Sequence, residues 1–402
     1  MSKCKKYSGY KSYQYLDKGV DYKDFKLAKE IERVKSYVIP LSKSEEKRVE
    51  KILEKCIVIS LHDHPTILPE DLSQIFEYMR EGRERTGYKG LSISGLDAVF
   101  DNLMDGTSLI TSKMGWKWSD TIYDLGMRLS DIAHQDFMIK GERVEDILRA
   151  HDEGKIAIIP SLEAATMIEN EVDRIDILYG FGVRVMGIAY CESNALGSGQ
   201  EEERDGGLTN FGRKAVKRMN KIGMAIDISH CGDHTALDVI EASEKPVFIT
   251  HSGARALCTD DMPNFRRMAP DESIRSCAEK GGVIGIEAAP HQTITKRHIK
   301  HNIESFMEHF EYCKELVGID HVAFGPDTLF GDHVGLHHVF SEQLSITPSK
   351  IKEVEFVKGL ENPSETFPNI IRWLVRQGYS DQEIEKVIGG NILRVLKEVW
   401  WS

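Results

Sequence analysis

Residues 224–250, MAIDISHCGDHTALDVIEASEKPVFIT, contain the pattern from which the fold can be inferred. Two short apolar runs, Met224–Ser229 and Val247–Thr250, have the composition of strands that are buried on both faces. The stretch between them begins with Asp233 as a helix start signal and ends at Lys245-Pro246. A strand, a helix and a second strand in this order predict two parallel strands joined by a right-handed crossover.

The same alternation of apolar runs and helical stretches continues on both sides of this segment. Further helical stretches begin at Thr209 and Asp271 and end at Gly223 and Gly281-Gly282. The runs that we interpret as strands are Cys56–Leu61, Gly95–Phe100, Ile156–Leu162, Val183–Ala189, Met224–Ser229, Val247–Thr250, Val283–Glu287 and Val322–Gly325. Eight such units predict an α/β fold that closes into a (β/α)8 TIM barrel. An open doubly wound sheet is the alternative, but Gly197-Ser198-Gly199 does not follow a strand as a dinucleotide-binding loop would.

The flanking segments complete the predicted domain organisation. Residues 1–50 contain six of the 13 tyrosines and many lysines, and we interpret them as an N-terminal arm packed on the barrel. Residues 51–402 then form the barrel domain. After the eighth strand, Ser364–Gly378 and Ser380–Val399 are predicted as C-terminal closing helices, and the second begins with the capping-box sequence SDQE.

Charge and composition exclude several classes of protein. Lysine and arginine total 52 against 64 aspartate and glutamate residues, and the net charge of −12 would repel a phosphate backbone, so nucleic acid is not an expected partner. No apolar run approaches the roughly 18 to 20 residues that span a bilayer, and no apolar segment of a secretory signal follows the basic N-terminal residues. The seven cysteines are scattered without a Cys-x-x-Cys pair, which is typical of reduced thiols in the cytoplasm.

Histidines and carboxylates follow five of the eight predicted strands at their carboxyl ends, where the active sites of such barrels lie. These residues are His62 and His64 after the first strand, Glu163 after the third, His230 after the fifth, His251 after the sixth and Asp327 after the eighth. Because residues i and i+2 of a strand share a face, His62 and His64 are expected to point into the barrel mouth and Asp63 away from it. Imidazoles and carboxylates suit zinc and its first-row neighbours, so the pattern predicts a metal centre.

A structural role is the alternative for each of these histidines taken singly. An isolated histidine after a strand is usually a hydrogen-bonded structural residue, but six candidate ligands at five strand ends favour the metal centre. Cys231, beside His230, is expected to face the other way and to pack in the core. The pair His337-His338 and the cluster His298–His301 are predicted to lie at the surface.

Five segments carry a further pattern: IIPSLEAA at 158–165, the stretch 205–257, GGVIGI at 281–286, VGIDHVAFGPDT at 317–328 and LVRQGYSDQEIEKVIGGNILRVL at 374–396. In these segments and at strand one, the chain has the order His-x-[Asp or His] on strand one, Glu on strand three, Ser-His on strand five, His-Ser on strand six and Gly-x-Asp on strand eight. This order resembles the membrane (renal) dipeptidase family, peptidase family M19, a branch of the amidohydrolase superfamily. The N-terminal arm lies outside the resemblance.

The resemblance implies that residues 51–402 form a metal-dependent hydrolase with two divalent metal ions, and zinc is the expected metal. It assigns His62, His64 and Asp327 to one ion, His230 and His251 to the other, and Glu163 to both as a bridge. The implied reaction is hydrolysis of the peptide bond of a dipeptide by a metal-bridged hydroxide, with Asp327 taking a proton and returning it to the leaving amine. Arg267 would hold the terminal carboxylate of the substrate.

Three positions depart from the family pattern. His64 stands where the family has an aspartate, which would raise the charge of the site by one unit and shift its metal preference. Tyr190 stands where the family has a histidine that contacts the substrate carbonyl. A phenol can donate to an oxyanion, so we expect Tyr190 to be catalytic and substrate-binding, and packing at the barrel rim is the alternative. Arg267 lies in a longer segment than in the family, which leaves Arg255 and Arg266 as alternative carboxylate clamps.

Other functions stay open from the sequence. A related amidohydrolase acting on another amide or ester, such as an N-acyl amino acid deacylase, a lactonase or a cyclic amidase, would keep the same metals. A barrel retained as a scaffold would be expected to have lost ligands. A homodimer is compatible with the habits of the family, and the Trp400-Trp401 pair would cover the barrel or a subunit contact. Residues 396–402 lack the hydrophobic tail of a membrane anchor, so we expect a cytoplasmic protein with a dipeptide as its small-molecule partner.

Overall fold

Eight parallel strands form the central sheet of the computed structural model, which describes residues 5–104, 117–290, 292–328, 333–334 and 356–400. The strands are β1 (Ile59–Asp63), β2 (Ala98–Met104), β3 (Ile156–Leu162), β4 (Val185–Gly187), β5 (Ala225–Asp227), β6 (Phe248–Ser252), β7 (Val283–Ile286) and β8 (Val322–Phe324). Each strand is hydrogen-bonded to the next in chain order. The backbone N–H of Asp327 donates to the carbonyl of His62 at 3.1 Å, which ties the segment after β8 to β1. The predicted (β/α)8 barrel is confirmed.

Helices connect the strands and follow the last one. Within the described ranges they are α1 (Lys43–Lys55), α2 (Ile75–Glu81), α3 (Tyr88–Ile93), α4 (Trp118–Ala133), α5 (Val144–Glu153), α6 (Asp173–Phe181), α7 (Asn210–Ile222), α8 (Asp233–Ala242), α9 (Asp271–Glu279), α10 (Ile303–Val317), α11 (Thr366–Arg376), α12 (Asp381–Glu385) and α13 (Asn391–Val399). Thr209 caps α7 by accepting a hydrogen bond from the N–H of Gly212, and α7 ends at Gly223 with a φ of 79°. The predicted division between residues 1–50 and residues 51–402 falls inside α1. This division into an arm and a barrel domain stays a prediction.

The second strand begins later than the sequence predicted. β2 starts at Ala98 rather than at Gly95, because Gly95 has a φ of 83° and turns the chain before the strand. The Asp97 carboxylate then accepts a hydrogen bond from the N–H of Val58 at 3.0 Å, which fixes the start of β2 beside β1. A short strand that was not predicted, Met138–Lys140, pairs with β3 outside the barrel order.

The C-terminal helix predicted over Ser380–Val399 is interrupted. The capping box at Ser380 is present as predicted, but a π-helical turn over Lys386–Gly390 separates α12 from α13. A Cβ atom at Gly389 would stand 2.2 Å from the carbonyl oxygen of Ile57, so the backbone of this turn packs directly on the residues before β1. Close backbone packing against the barrel explains the interruption.

Neighbouring residues of a strand pack into different parts of the core. Phe100 and Val99 of β2 belong to two separate core clusters, as the period of two in a strand requires, and the cluster of Phe100 combines residues of the strands with residues of α5 and α13. Trp400 is 5% exposed and packs in the cluster that contains Phe100. Trp400 therefore covers the barrel, which is one of its two predicted roles, and Trp401 lies outside the described residues.

Residues 5–42 of the N-terminal arm, which precede α1, contain no helix and lie against the barrel. The Lys5 ammonium donates to Asp97 at 2.7 Å, and both side chains are fully buried. Farther along the arm, the Tyr10 hydroxyl donates to the carboxylate of Asp131 in α4 at 2.7 Å. Buried polar contacts thus attach the arm to the barrel at more than one point.

Candidate metal centre

The six residues predicted as metal ligands are buried together at the carboxyl ends of the strands. Their exposed fractions are 1% for His62, 7% for His64, 4% for Glu163, 7% for His230, 0% for His251 and 8% for Asp327. His62 lies in β1 and His251 lies in β6, and each of the others follows its strand within three residues. Because the carboxyl ends of parallel strands meet at one rim of a barrel, residues far apart in the sequence become neighbours.

His62, His64 and Asp327 form one half of this centre. The Nε2 atoms of His62 and His64 are 3.3 Å apart, and Asp327 Oδ1 lies 3.4 Å from the first and 3.2 Å from the second. Glu163 Oε1 lies 3.9 Å from His62 Nε2. The side chains assigned to one ion by the resemblance are therefore adjacent, with Glu163 beside them.

His230 and His251 form the other half. Glu163 Oε1 lies 2.9 Å from His230 Nε2 and 3.1 Å from His251 Nε2, and the two Nε2 atoms are 2.9 Å apart. The ring of His251 also stacks on that of His62, with their centroids 3.5 Å apart. Glu163 Oε1 thus lies near the imidazole nitrogens of candidate ligands in both halves, which is the position that a bridging ligand requires.

The backbone is strained at two of the candidate ligands. His230 has a φ of 62° and Asp327 has a φ of 56°, values in the left-handed region that residues other than glycine rarely adopt. Such a conformation costs on the order of 1–3 kcal/mol and persists where the surroundings impose it, often at functional sites. The N–H of Gln200 holds the first turn by donating to the His230 carbonyl at 2.8 Å. The fold therefore keeps both side chains in the centre at a cost in stability.

Burial sets the protonation of the centre. It lowers the pKa of His62, an effect that Asp327 opposes, and it lowers the pKa of His251 well below the ordinary value. Burial alone would raise the pKa of Asp327, but His333 and the hydrogen bonds with His62 and His64 hold that pKa well below the usual value. Neutral imidazoles beside ionised carboxylates are the donor set that divalent cations such as zinc bind. The residues present therefore fit the metal ions that the resemblance implies.

Two polar residues that were not predicted from the sequence contact the candidate ligands, and a third contacts one of these two. The side-chain amide of Asn102 lies 2.6 Å from His62 Nδ1, and the hydroxyl of Thr250 lies 2.8 Å from His251 Nδ1. Asp227 accepts a hydrogen bond from Thr250 at 2.6 Å. Such outer partners orient the ring of a metal-binding histidine. In the sequence, their positions toward the carboxyl ends of β2, β5 and β6 were the one sign that these residues lie near the centre. Their residue types do not distinguish them from ordinary buried polar groups.

Asp63 points away from the two histidines beside it, as the alternation predicted. Its Oδ1 accepts from the N–H and the hydroxyl of Thr328, both at 2.9 Å, and its Oδ2 lies 3.2 Å from the Ser60 hydroxyl. Burial raises the pKa of Asp63 to about 7, a shift that the hydrogen bonds from Thr328 oppose. Asp63 therefore joins β1 to the segment after β8. Cys231 is buried in the core, as expected.

Tyr190 lies beside the second half of the centre. Its ring stacks on the ring of His230, with the centroids 4.3 Å apart and the planes inclined by 30°. The residue is partly exposed, so its ring forms part of the rim as well as a wall of the site. Both its predicted catalytic role and the alternative of packing at the rim stay predictions.

Arg267 contacts the centre through the backbone of a candidate ligand. Its Nη2 donates to the carbonyl of His251 at 2.9 Å and lies 2.5 Å from Glu287 Oε2, with both side chains buried. Arg255, an alternative clamp, instead pairs with Asp233 at 2.5 and 2.8 Å. Glu287, which follows β7 and was not predicted, has its pKa raised to about 8 by burial, although Arg267 opposes this shift. A substrate carboxylate would therefore meet an arginine that already has a carboxylate partner.

Other histidines lie outside the predicted ligand set. His298 is partly exposed and lies 3.7 Å from a carboxylate oxygen of Glu308, in agreement with a surface position. His333 was not predicted, and it is buried with its ring 6.4 Å from the ring of His64. The pair His337-His338 lies outside the described residues.

The fold and the site define a (β/α)8 barrel protein with a candidate metal centre. The model of the family described as Membrane dipeptidase (Peptidase family M19) matches residues 46–400, and the chain belongs to this family. Dipeptidase tcpJ of Claviceps purpurea is 28% identical over 278 residues, which are 69% of this chain and 58% of that protein. The chain spans about half the length of the curated relatives it matches.

Solved structures share the fold of this chain. An amidohydrolase from Pseudomonas aeruginosa has a TM-score of 0.71 and 26% sequence identity, covering 88% of this chain and 99% of that chain. The dipeptidase AC, a metallo peptidase of family M19, has a TM-score of 0.67, covers 86% of this chain and 99% of that chain, and at 17% identity shows a common fold. Among the described residues, no helix combines the length and the apolar character needed to cross a bilayer.

Proposed function

We propose that this protein is a metal-dependent dipeptidase that hydrolyses the peptide bond of dipeptides with two divalent metal ions, zinc being the expected metal. One observation carries the proposal: on both sides of Glu163, buried imidazole nitrogens and carboxylate oxygens lie within 4.8 Å of one another in groups that could hold a metal ion. Membership of a family described as membrane dipeptidases supports the choice of a dipeptide as substrate.

Each half of the centre would hold one ion. His62, His64 and Asp327 would bind the first ion, His230 and His251 the second, and Glu163 both. Bound divalent cations supply a hydroxide nucleophile near neutral pH and polarise the carbonyl under attack. The four imidazoles are neutral ligands, so they leave the positive charge of the centre available to stabilise an anionic transition state.

The remaining steps belong to side chains at the rim. Asp327 Oδ1 lies within 3.4 Å of both His62 and His64 on the inner face of the centre, where it can accept the proton of the nucleophile and return it to the leaving amine. The Tyr190 phenol would donate to the oxyanion. Arg267 would hold the terminal carboxylate in competition with Glu287, its present partner.

A panel of dipeptides incubated with the purified, zinc-loaded protein tests the proposal. We expect release of free amino acids by the wild type, and we expect Glu163→Gln to lower kcat/KM on the order of a thousandfold because the shared charge is lost. Glu308→Gln, which changes a carboxylate outside the centre, is the matched control and should retain wild-type rates. Wild-type rates in Glu163→Gln would contradict the proposal.

A related amidohydrolase activity is the second candidate, and one observation favours it. Because Arg267 already pairs with Glu287, the site is not an open receptor for a free carboxylate. An N-acyl amino acid deacylase, a lactonase or a cyclic amidase would use the same centre on another amide or ester. Turnover of acylated or cyclic substrates, with none of the dipeptides cleaved, would replace the first candidate with the second.

A further inference from the structure

A chain of hydrogen bonds lies on the Nδ1 side of the His251 ring, away from the centre. His251 Nδ1 lies 2.8 Å from Thr250 Oγ1, and Thr250 Oγ1 lies 2.6 Å from Asp227 Oδ2. The residues are almost fully buried, with exposed fractions of 0% for His251, 2% for Thr250 and 2% for Asp227. These hydrogen bonds therefore connect β6 to β5 in a place that water hardly reaches.

The positions of the hydrogens in this chain follow by elimination. Asp227 Oδ1 accepts from the N–H of Ser229 at 2.9 Å, from the Ser229 hydroxyl at 2.8 Å and from the N–H of Thr250 at 3.0 Å, so the carboxylate acts as an acceptor. A threonine hydroxyl has one hydrogen, and Thr250 donates it to Asp227. Thr250 Oγ1 is then an acceptor toward the imidazoles beside it, and His251 Nδ1 at 2.8 Å is much closer than His62 Nδ1 at 3.5 Å, so the hydrogen that it accepts is that of His251 Nδ1.

The opposite tautomer of His251 is disfavoured by the same geometry. If His251 carried its hydrogen on Nε2 and donated it to Glu163, Thr250 would have to donate to His251 Nδ1. That arrangement would leave Thr250 Oγ1 and Asp227 Oδ2 only 2.6 Å apart with no hydrogen between them. Two oxygens at this distance repel each other unless they share a hydrogen bond.

We propose that Thr250, oriented by Asp227, is a positioning residue that holds His251 with its hydrogen on Nδ1 and its lone pair on Nε2. This inference rests on the metal centre of the proposed function. A neutral imidazole in this tautomer presents Nε2 as a ligand atom. His251 Nε2 and Glu163 Oε1 then face each other at 3.1 Å as two acceptors, a pair that a cation would stabilise and that is more widely spaced than the 2.6 Å between Thr250 and Asp227. His251 therefore has the tautomer that binds a cation even when no cation is bound.

Zinc affinity tests the inference in the full-length protein. Thr250→Val preserves the shape of the side chain and removes the hydroxyl, and we expect it to weaken the binding of one zinc ion about 10- to 100-fold in a chelator competition titration. Thr250→Ser keeps the hydroxyl and should restore affinity to within about threefold of the wild type. The matched control is Thr235→Val, because the Thr235 hydroxyl also donates to a carboxylate, that of Asp205 at 2.7 Å, but outside the centre.

A measurement on the wild type keeps the inference testable if Thr250→Val fails to fold. The protein is labelled with ¹⁵N-histidine, stripped of metal and studied by long-range ¹H–¹⁵N NMR, with the His251 signal assigned from a His251→Gln variant. We expect a protonated Nδ1 and an unprotonated Nε2. A hydrogen on Nε2, or wild-type zinc affinity in a folded Thr250→Val protein, would overturn the inference. Wild-type protein that binds no zinc would instead contradict the proposed function, and the NMR result would still decide the tautomer.

Discussion

Asp131 in the region where the arm docks and Glu163 in the candidate metal centre are both carboxylates with several close partners, but the partners differ in kind. The partners of Asp131 are hydrogen-bond donors, namely Tyr10 Oη at 2.7 Å, Ser12 Oγ at 2.5 Å, the N–H of Tyr13 at 2.7 Å and Tyr88 Oη at 3.0 Å. Glu163 Oε1, by contrast, lies beside the Nε2 atoms of three histidines, His230 at 2.9 Å, His251 at 3.1 Å and His62 at 3.9 Å.

This contrast separates a structural carboxylate from a functional one. A buried carboxylate that accepts several hydrogen bonds is satisfied by the protein itself, and it fixes one segment on another. Neutral imidazoles around a carboxylate have lone pairs that also face inward, and a cation completes such a cluster. Loss of Asp131 should therefore lower stability, whereas loss of a carboxylate in the centre should lower metal binding and activity. Four substitutions test this division, from the largest expected effect to the smallest.

Asp327→Asn should produce the largest loss of activity. The amide cannot take and return a proton, so kcat should fall about 10²- to 10⁴-fold at saturating zinc. The melting temperature of the metal-free protein should fall modestly, because the hydrogen bonds that His62 and His64 make to Asp327 would then have a neutral acceptor. Steady-state kinetics and calorimetry measure the two quantities. A kcat above a tenth of the wild-type value would remove Asp327 from the mechanism.

Asp131→Asn should give the opposite pattern. The variant weakens the hydrogen bonds that Tyr10, Ser12 and Tyr88 donate to a charged acceptor, so the free energy of unfolding should fall by about 2 to 4 kcal/mol. Urea denaturation of the metal-free protein measures this loss, and kcat at saturating zinc is the control, expected within about threefold of the wild type. A variant as stable as the wild type would show that these hydrogen bonds do not attach the arm.

Tyr190→Phe distinguishes the catalytic and packing roles of the rim. The ring can still stack on His230, but the donor to the oxyanion is lost, so kcat should fall on the order of 10²-fold with little change in KM. Tyr179→Phe is the control, since the Tyr179 ring packs on the guanidinium of Arg184 outside the centre. An unchanged kcat in Tyr190→Phe would favour packing at the rim.

Glu287→Gln should have the smallest effect, and it concerns substrate choice. Above pH 8, where the Glu287 carboxyl is ionised, its replacement by an amide frees the Arg267 guanidinium for the substrate. The KM for a dipeptide with a free carboxylate should then fall about three- to tenfold. The C-terminal amide of the same dipeptide should keep its KM. Equal changes in KM for the two substrates would show that Arg267 does not bind the terminal carboxylate.

The barrel and the six candidate ligands could be predicted from the sequence because both depend on local patterns. Short apolar runs alternating with helices indicate the fold, and the residue after each run falls at the same rim. His62 and His64 needed only the period of two in a strand. The boundaries of β2 and of the last helix were less accessible, because Gly95 and Gly389 act through backbone turns and close packing that leave little trace in the hydrophobic pattern.

The outer partners of the centre could not be predicted in the same way. Glu287 becomes informative only when its contact with Arg267 is known. Arg267 lies in the segment between β6 and α9, Glu287 follows β7, and the two side chains are 2.5 Å apart. Thr250 and Asp227 resemble ordinary buried polar residues until the hydrogen bond to His251 Nδ1 is seen. These roles depend on contacts across strands, which a single sequence does not record.

Metal content and position test the central claim most directly. The protein would be purified with zinc, analysed for bound metal and crystallised for diffraction at the zinc absorption edge. We expect two zinc ions per chain and two anomalous peaks on either side of Glu163, one beside His62 and His64 and the other beside His230 and His251. Absence of bound metal, or peaks away from these side chains, would contradict the account.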